Sequence, residues 1–176
     1  AAISACERGG EPERALKLLQ EMKDAGVERS VGTYTAAISA CGQGSQPRPH
    51  LALALLQEMK EGWMELGTIT YNTAMFACSE GGLPERALEL LQEMKGARVE
   101  LNTVTYTAAI SACERGGEPE RALKLLQEMK DASVALSVGT YTAAISACEK
   151  GRQQKRAREL LQEIKDAWME LDTVTY

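Results

Sequence analysis

This sequence of 176 residues is poor in histidine, the side chain that most often acts as a general base. It has a single histidine, His50, which follows Pro49 in a segment rich in Gly and Pro and is expected at the surface. One histidine cannot complete a catalytic triad with the residues around it, and the sequence contains no Gly-rich phosphate-binding loop. An enzyme is therefore the least favoured class, and no catalytic residue is predicted.

The five cysteines recur singly along the chain and never as a C-x-x-C pair. An odd number does not make a closed set of disulfides, and a small residue at a fixed interval is typical of a buried packing position. Metal or redox chemistry is the alternative interpretation. Because burial is favoured, no metal site and no cofactor are predicted for Cys6, Cys41, Cys78, Cys113 and Cys148.

The formal net charge of −5 bears on the kind of partner. Surfaces that bind phosphate usually carry a basic surplus, so the charge disfavours a nucleic-acid partner without excluding one. The longest apolar run is far short of the roughly 20 residues that a bilayer-spanning helix needs, so no membrane association is expected. The chain starts within a repeated unit, without Met, a basic leader or a signal-like segment, and is interpreted as a piece of a longer protein.

One nine-residue phrase, TYTAAISAC, occurs at 33–41, 105–113 and 140–148, and a variant, TYNTAMFAC, occurs at 70–78. The tyrosines of these four copies and the tyrosine at the end of the chain lie 37 residues apart in the first interval and 35 in the other three. They are Tyr34, Tyr71, Tyr106, Tyr141 and Tyr176. A fixed period in this range is typical of a solenoid, in which a unit buries its apolar face only against its neighbours.

Each unit reads as two helices joined by a short break. In the first half, Tyr106, Ala109, Ile110 and Cys113 follow helical spacing, and small alanines there permit close approach between units. A Gly pair ends the first helix, and a Pro two residues later suits the first turn of the second. The second helix, for example PERALKLLQEMK, has an apolar stripe and a charged face that is expected to be solvated.

The sequence therefore predicts an all-α fold, an α-solenoid of about five stacked helix-turn-helix repeats in a single array over 1–176. The predicted repeats are 1–30, 31–67, 68–102, 103–137 and 138–172, with 173–176 opening a further one. Trp63 and Trp168 hold equivalent places after a second helix and are expected to pack under the next repeat. A base-stacking or partner-binding role is the alternative for both.

The period, the tyrosine, the Gly turn, the Ala-Leu pair and the Glu-Met pair recur in register, and TITYNTAMFACSEGGLPERALELLQEMK at 68–95 shows all of them. This pattern resembles the pentatricopeptide repeat family over the whole chain. The resemblance implies a right-handed superhelix whose first helices line the inner face and bind single-stranded RNA. It also implies that each repeat reads one base, through two or three side chains.

In the family, two positions carry most of the base selectivity: the residue after each tyrosine, here called the post-tyrosine position, and the residue four before the next tyrosine, here called the pre-helix position. The pairs are Thr35 with Gly67, Asn72 with Asn102, Thr107 with Ser137, and Thr142 with Asp172. An ionised Asp only accepts hydrogen bonds, whereas Asn and Ser can also donate. Together with the family's preferences, this assigns cytosine, adenine and guanine to the second, third and fourth pairs, and no base to the first.

The resemblance further implies that apolar residues two before each tyrosine clamp the bases. Ile69 and Val104 fit this clamp position, whereas Gly32 and Gly139 offer no side chain there. Phosphate contacts come in the family from a basic residue near the end of the first helix. Arg8, Arg115 and Lys150 match that position.

The predicted function is sequence-selective binding of single-stranded RNA in support of its processing, stability, editing or translation. A protein–protein scaffold that uses the concave surface is the alternative, and the acidic balance favours it. The deaminase that ends some family members needs H-x-E and C-x-x-C, and His50 is followed by Leu51 and Ala52. A mitochondrial or chloroplast location is implied by the family alone, and no small-molecule substrate is expected.

Overall fold

The structure, a computed structural model, describes residues 2–43 and 46–174, of which 167–174 are described in their backbone only. In this part of the chain all regular structure is helical. The helices are α1 Ala2–Gly9, α2 Pro12–Asp24, α3 Val31–Gly42, α4 Pro49–Glu61, α5 Thr68–Glu80, α6 Pro84–Gly96, α7 Thr103–Gly116, α8 Pro119–Asp131, α9 Val138–Lys150 and α10 Gln154–Val174. The prediction of an all-α fold built from helical hairpins is confirmed.

The chain divides into two compact units, Ala1–Leu101 and Asn102–Tyr176. In the first unit the first helices of successive hairpins, α1, α3 and α5, pack side by side. The second helices α2 and α4 each pack on their own first helix and on the first helix of the following hairpin. The second unit repeats this arrangement, since α7 packs on α9 and α8 contacts both of them.

Small residues on the first helices make the close contact between neighbouring hairpins possible. The alanines Ala37, Ala40, Ala74, Ala77, Ala109 and Ala112 are completely buried. The second helices contribute larger apolar side chains, with Leu56, Met59, Leu91, Met94 and Met129 also buried. Burial of a side chain of this size contributes roughly 1.5–3 kcal/mol to stability, so the alternation of small and large layers holds the stack together.

Proline begins four of the second helices, as predicted: α2, α4, α6 and α8 start at Pro12, Pro49, Pro84 and Pro119. Glycine is required on the opposite side of this contact. A Cβ added at Gly81 would overlap the ring of Pro49, and one at Gly151 would overlap the ring of Pro119. These glycines therefore let the end of one first helix lie directly on the proline of the preceding hairpin.

The loop between hairpins turns through a residue in the left-handed conformation, which is Gly26, Trp63, Arg98 or Ser133. Trp63 has φ 54° and is 95% exposed, so the prediction that it packs under the next repeat is wrong. The left-handed turn reverses the chain at this residue, and its side chain projects away from the helical layers.

The last helix differs from the expected pattern, because α10 continues to Val174 without a break after the length of the other second helices. The segment 167–172 contains neither glycine nor proline, and its Ala, Met, Glu and Leu favour helix. The side chain of Trp168 and residues 175–176 lie outside the described part of the chain. The predicted repeat opening at 173–176 stays a prediction.

Candidate functional site

The buried tyrosines of α3, α5 and α7 fix how each of these first helices sits on its second helix. Tyr34 donates a hydrogen bond to Glu58 at 2.8 Å, and Tyr71 and Tyr106 do the same to Glu93 and Glu128 at 3.0 and 2.9 Å. The three rings are almost fully buried. In α3 and α7 the post-tyrosine residue therefore takes a defined place at the contact with the next first helix.

The post-tyrosine threonines bond to the threonine that precedes the next tyrosine. The hydroxyls of Thr35 and Thr70 lie 3.0 Å apart, and those of Thr107 and Thr140 lie 2.8 Å apart. Thr35 also donates to the carbonyl of Val31 at 2.9 Å. A hydroxyl has one proton, so Thr70 must be the donor to Thr35, and what Thr35 offers to a ligand is a lone pair.

The other two post-tyrosine residues differ in exposure. Asn72 is only 8% exposed, within α5. Thr142 is exposed and donates to the carbonyl of Val138 at 2.8 Å. Neither observation tests the predicted reading of bases, but together they show that the four post-tyrosine side chains are not equally accessible.

Three of the four pre-helix residues, Gly67, Asn102 and Ser137, are the N-caps of the following first helices, a role that was not predicted for them. The backbone of Asp172, the fourth, lies within α10. The Asn102 side chain accepts from the backbone N–H of Thr105 at 3.1 Å, and Ser137 accepts from that of Thr140 at 3.1 Å. Gly67 is the N-cap of α5 and has no side chain to contribute. The cap of Asn102 uses its amide oxygen, whereas reading cytosine requires the amide N–H groups.

One post-tyrosine residue and one pre-helix residue meet at a cavity of about 730 Å³, here called the Thr35 cavity. Besides Thr35 and Gly67, its lining includes Val31, Gly32 and Ile69. Both members of the first predicted pair and the clamp residue Ile69 are thus brought together. The remaining lining residues are Ser4, Glu7, Ala36, Glu65, Thr68 and Thr70.

The two predicted clamp residues are unusually exposed for apolar side chains. Ile69 is 75% exposed and Val104 is 59% exposed. Each lies in the first turn of its helix, where it contributes little to the packed interior. Such exposure is what a side chain that packs against a ligand requires.

The predicted phosphate-binding cations lie at the ends of the first helices, where Arg8, Arg115 and Lys150 are all exposed. Lys150 forms an ion pair with Glu114 at 2.6 Å. A phosphate that contacts Lys150 must compete with this carboxylate. The acids Glu7 and Glu65 on the wall of the Thr35 cavity add a further repulsive contribution.

Within each of the two units, glutamates of the second helices also pair with cations. Arg29 pairs with Glu58 at 2.7 Å, and Lys60 and Lys130 pair with the glutamates Glu93 and Glu163 of the next hairpin, both at 2.5 Å. Burial alone would raise the pKa of Glu58, but hydrogen bonds from Tyr34 and Arg29 outweigh it and lower the pKa. These ion pairs link neighbouring hairpins within each unit.

Burial dominates the remaining pKa shifts. It raises the pKa of Tyr71 and Tyr106 to about 12, helped by the hydrogen bonds to Glu93 and Glu128. It also raises the pKa of the Cys41 and Cys78 thiols to about 11, which disfavours the reactive thiolate. Every cysteine is buried and free. Among the described residues no group of His, Cys, Asp and Glu is placed to hold a metal ion.

Three features of this site were missed from the sequence: the partner threonines Thr70 and Thr140, the capping role of the pre-helix residues, and Val31 in the cavity wall. The capping role had a signal, because Asn and Ser three residues before a Thr are typical of an N-terminal cap. The side chain of Asp172 lies outside the described residues.

The hairpins, their packing and the Gly–Pro contacts define an α-solenoid, and comparison with family models identifies which one. A model described as the PPR repeat matches residues 1–27, one described as the pentatricopeptide repeat domain matches 17–83, and one described as the PPR repeat family matches 66–115 and 101–150. The chain belongs to the pentatricopeptide repeat family. A search of curated proteins gave no significant match.

Solved structures share this fold. The pentatricopeptide domain of Arabidopsis thaliana protein-only RNase P 1, solved in complex with tRNA, has a TM-score of 0.78 and 19% identity over 94% of this chain and 86% of its own. The protein PPR10, solved with an 18-nt psaJ RNA element, has a TM-score of 0.81 and 18% identity over 94% of this chain. This chain covers only 24% of PPR10. At these identities the likeness concerns the fold.

No helix in the described part of the chain is long and apolar enough to span a bilayer.

Proposed function

We propose that this chain binds single-stranded RNA along its first helices, with one repeat for each base. The observation that carries the proposal is the Thr35 cavity, where a post-tyrosine residue, a pre-helix residue and an exposed clamp residue share one wall. Two structures with the same fold were solved with RNA bound, one with tRNA and one with an 18-nt element. The function is binding, without a catalytic step, in support of RNA processing, stability, editing or translation.

The proposed RNA sequence follows from the hydrogen-bonding groups of the pairs together with the base preferences that the family resemblance implies. Reading the pairs in chain order, parallel to the RNA, gives 5′-NCAG-3′, where N faces Thr35 and Gly67. Clamping and stacking contribute roughly 1–3 kcal/mol for each base in single-strand binders. Since association costs at least about 4 kcal/mol, we expect micromolar or weaker binding by this chain alone. As in the family, a mitochondrial or chloroplast location is proposed.

The test is fluorescence anisotropy of labelled RNAs that carry NCAG or a scrambled order of the same bases. We expect tighter binding to NCAG and loss of this preference in Asn72→Ala and Thr142→Ala. Equal binding of both RNAs would remove the selective function. A matched control is Thr73→Ala, because Thr73 lies next to Asn72 in α5 and its hydroxyl bonds to the backbone carbonyl of Ile69.

The competing function is a protein-binding scaffold, which the fully exposed Trp63 and the ion pair between Lys150 and Glu114 favour. The dependence of binding on salt concentration distinguishes the two functions. Binding through phosphate weakens steeply as salt rises, whereas an apolar groove responds little. Quenching of Trp63 fluorescence by a protein partner, together with no response to RNA, would favour the scaffold.

A further inference from the structure

The repeats of this chain use two different sequences in the first turn of the first helix. Two of them read Thr-Ile-Thr-Tyr or Thr-Val-Thr-Tyr, at 68–71 and 103–106, and two read Val-Gly-Thr-Tyr, at 31–34 and 138–141. In the second type the clamp position is glycine, and an apolar residue stands one place earlier. The two types of repeat differ in the contacts that the first residue of the helix makes.

In the threonine type, the first residue is held by a hydrogen bond. Thr68 donates to the carbonyl of Glu100 at 2.9 Å, and Thr103 donates to the carbonyl of Ala135 at 2.7 Å. The hydroxyl is thereby directed to the loop that leads to the next hairpin. The apolar residue that follows it, Ile69 or Val104, is left exposed.

In the valine type, this hydrogen bond is impossible because valine has no donor in its side chain. Val31 instead lines the Thr35 cavity together with Ile69 and Gly32, and Val138 is 58% exposed. In both repeats the post-tyrosine threonine donates to the carbonyl of this valine, Thr35 at 2.9 Å and Thr142 at 2.8 Å. This hydrogen bond holds the backbone of the valine one helical turn before the residue that is proposed to read the base.

We propose that Val31 replaces the missing clamp residue in its repeat, so that the Thr35 cavity holds a purine between Val31 and Ile69 without distinguishing adenine from guanine. This inference rests on the proposed RNA-binding function. Gly32 and Gly67 both lack a side chain, and a Cβ at Gly67 would meet open space, so the cavity is wide enough to favour the larger base. Gly67 offers no polar side chain to the Watson–Crick edge, which is where adenine and guanine differ.

Val138 is exposed beside Gly139, so it takes the same role in the fifth repeat. The residue one place before the clamp position thus becomes a determinant of base binding in this chain wherever the clamp position is glycine. The Thr35 cavity is the better place for the test, because both of its walls are described.

The experiment measures the anisotropy of labelled RNAs of the form XCAG, in which X is adenine, guanine, cytosine, uracil or an abasic site. For the whole chain we expect adenine and guanine at X to bind about equally, each about five- to tenfold more tightly than the abasic RNA, with the pyrimidines in between. Val31→Ala should remove most of the purine advantage and leave binding of the abasic RNA unchanged, and Ile69→Ala should also lower binding of the purine RNAs. Val27→Ala is the control, since Val27 is exposed but does not line the Thr35 cavity.

The outcomes separate this inference from the function on which it rests. If Ile69→Ala lowers purine binding and Val31→Ala does not, the role of Val31 is overturned while RNA binding stands. If Val31→Ala weakens the abasic RNA as much as the purine RNAs, its effect does not pass through the base, and the inference fails. If XCAG binds no better than a scrambled RNA for every X, the proposed function itself fails.

Discussion

At the scale of single residues, the side chains proposed to read bases also hold the fold together. Ser137 and Asn102 cap first helices, and Thr35 and Thr107 link one first helix to the next. A ligand must therefore use the donors and lone pairs that the cap and the threonine pair leave over. A substitution at one of these positions therefore changes both base selectivity and stability, and both must be measured.

Gly67 permits a clean test of the cap. It has an extended backbone, with φ −96° and ψ 176°, and space for a Cβ, so other residues fit there without strain. Gly67→Ser should accept the N–H of Thr70, as Ser137 accepts that of Thr140, whereas Gly67→Ala cannot. We expect the Ser variant to be more stable than the Ala variant by about 1 kcal/mol in urea unfolding. Equal stability of the two variants would show that no cap forms at α5.

The buried cysteines give a second residue-scale prediction. Because burial raises the pKa of Cys41 and Cys78 to about 11, a thiol reagent should label neither of them at neutral pH in the folded chain. Labelling should appear with the same urea dependence as unfolding. Rapid labelling of either thiol in buffer would contradict the burial that the repeat spacing predicts.

At the scale of helices, most of the structure could be predicted from the sequence. The helical spacing after each tyrosine, the Gly pair and the following proline mark both helices of a hairpin, because each signal has a local cause in backbone geometry. Contacts between hairpins could not be predicted in the same way. The overlap that forbids a side chain at Gly81 depends on Pro49, which lies in the preceding hairpin.

This Gly–Pro contact predicts opposite effects of the same substitution at two glycines. Gly81→Ala should lower the free energy of unfolding by about 1–3 kcal/mol, because its Cβ overlaps Pro49 in a packed contact. Gly96→Ala, in the last turn of α6 with open space around it, should raise it by about 0.5–1 kcal/mol. Thermal and urea unfolding measure both, and a stabilised Gly81→Ala would disprove the close contact.

The burial of the tyrosines, together with their bonds to glutamate, predicts a dependence of stability on alkaline pH. Tyr71 and Tyr106 have a pKa of about 12 in the fold, above the ordinary value of 10.0. A raised tyrosine pKa stabilises the folded chain fully below pH 10, and this contribution is lost as the pH rises from 10 to 12. We expect the unfolding midpoint to fall over this range, and phenolate absorbance to follow it. Tyr71→Phe should reduce the pH dependence, and an unchanged profile would contradict the raised pKa of Tyr71.

At the scale of the whole chain, the net charge opposes the proposed binding of RNA. A net charge of −5 is unfavourable for RNA, and the pairing of Lys150 with Glu114 adds to this. Glu114→Gln should therefore release Lys150 and strengthen binding of NCAG several-fold at low salt, with a steeper decline of affinity as salt rises. Glu149→Gln is the control, since it removes the same charge beside Lys150 without breaking that pair. Equal gains in both variants would mean that net charge, not the ion pair, limits binding.

The hairpins and the family could be predicted from the period together with the tyrosine, the Gly turn and the Ala-Leu and Glu-Met pairs, because a repeated sequence places each residue type at the same structural position. The exposure of Trp63 and the role of Val31 could not. Both depend on where one side chain points, out of a left-handed turn in one case and into a cavity between two first helices in the other.

We propose that the residues at the post-tyrosine and pre-helix positions determine which base each repeat binds. The most direct measurement is the preference of Ser137→Asp for adenine or guanine at the third position of NCAG. Asp is as good an N-cap as Ser, so the fold should be kept, and its carboxylate accepts hydrogen bonds from guanine. We expect the preference for adenine to become a preference for guanine, by about tenfold overall. An unchanged ratio in a variant that is folded and still binds RNA would contradict it.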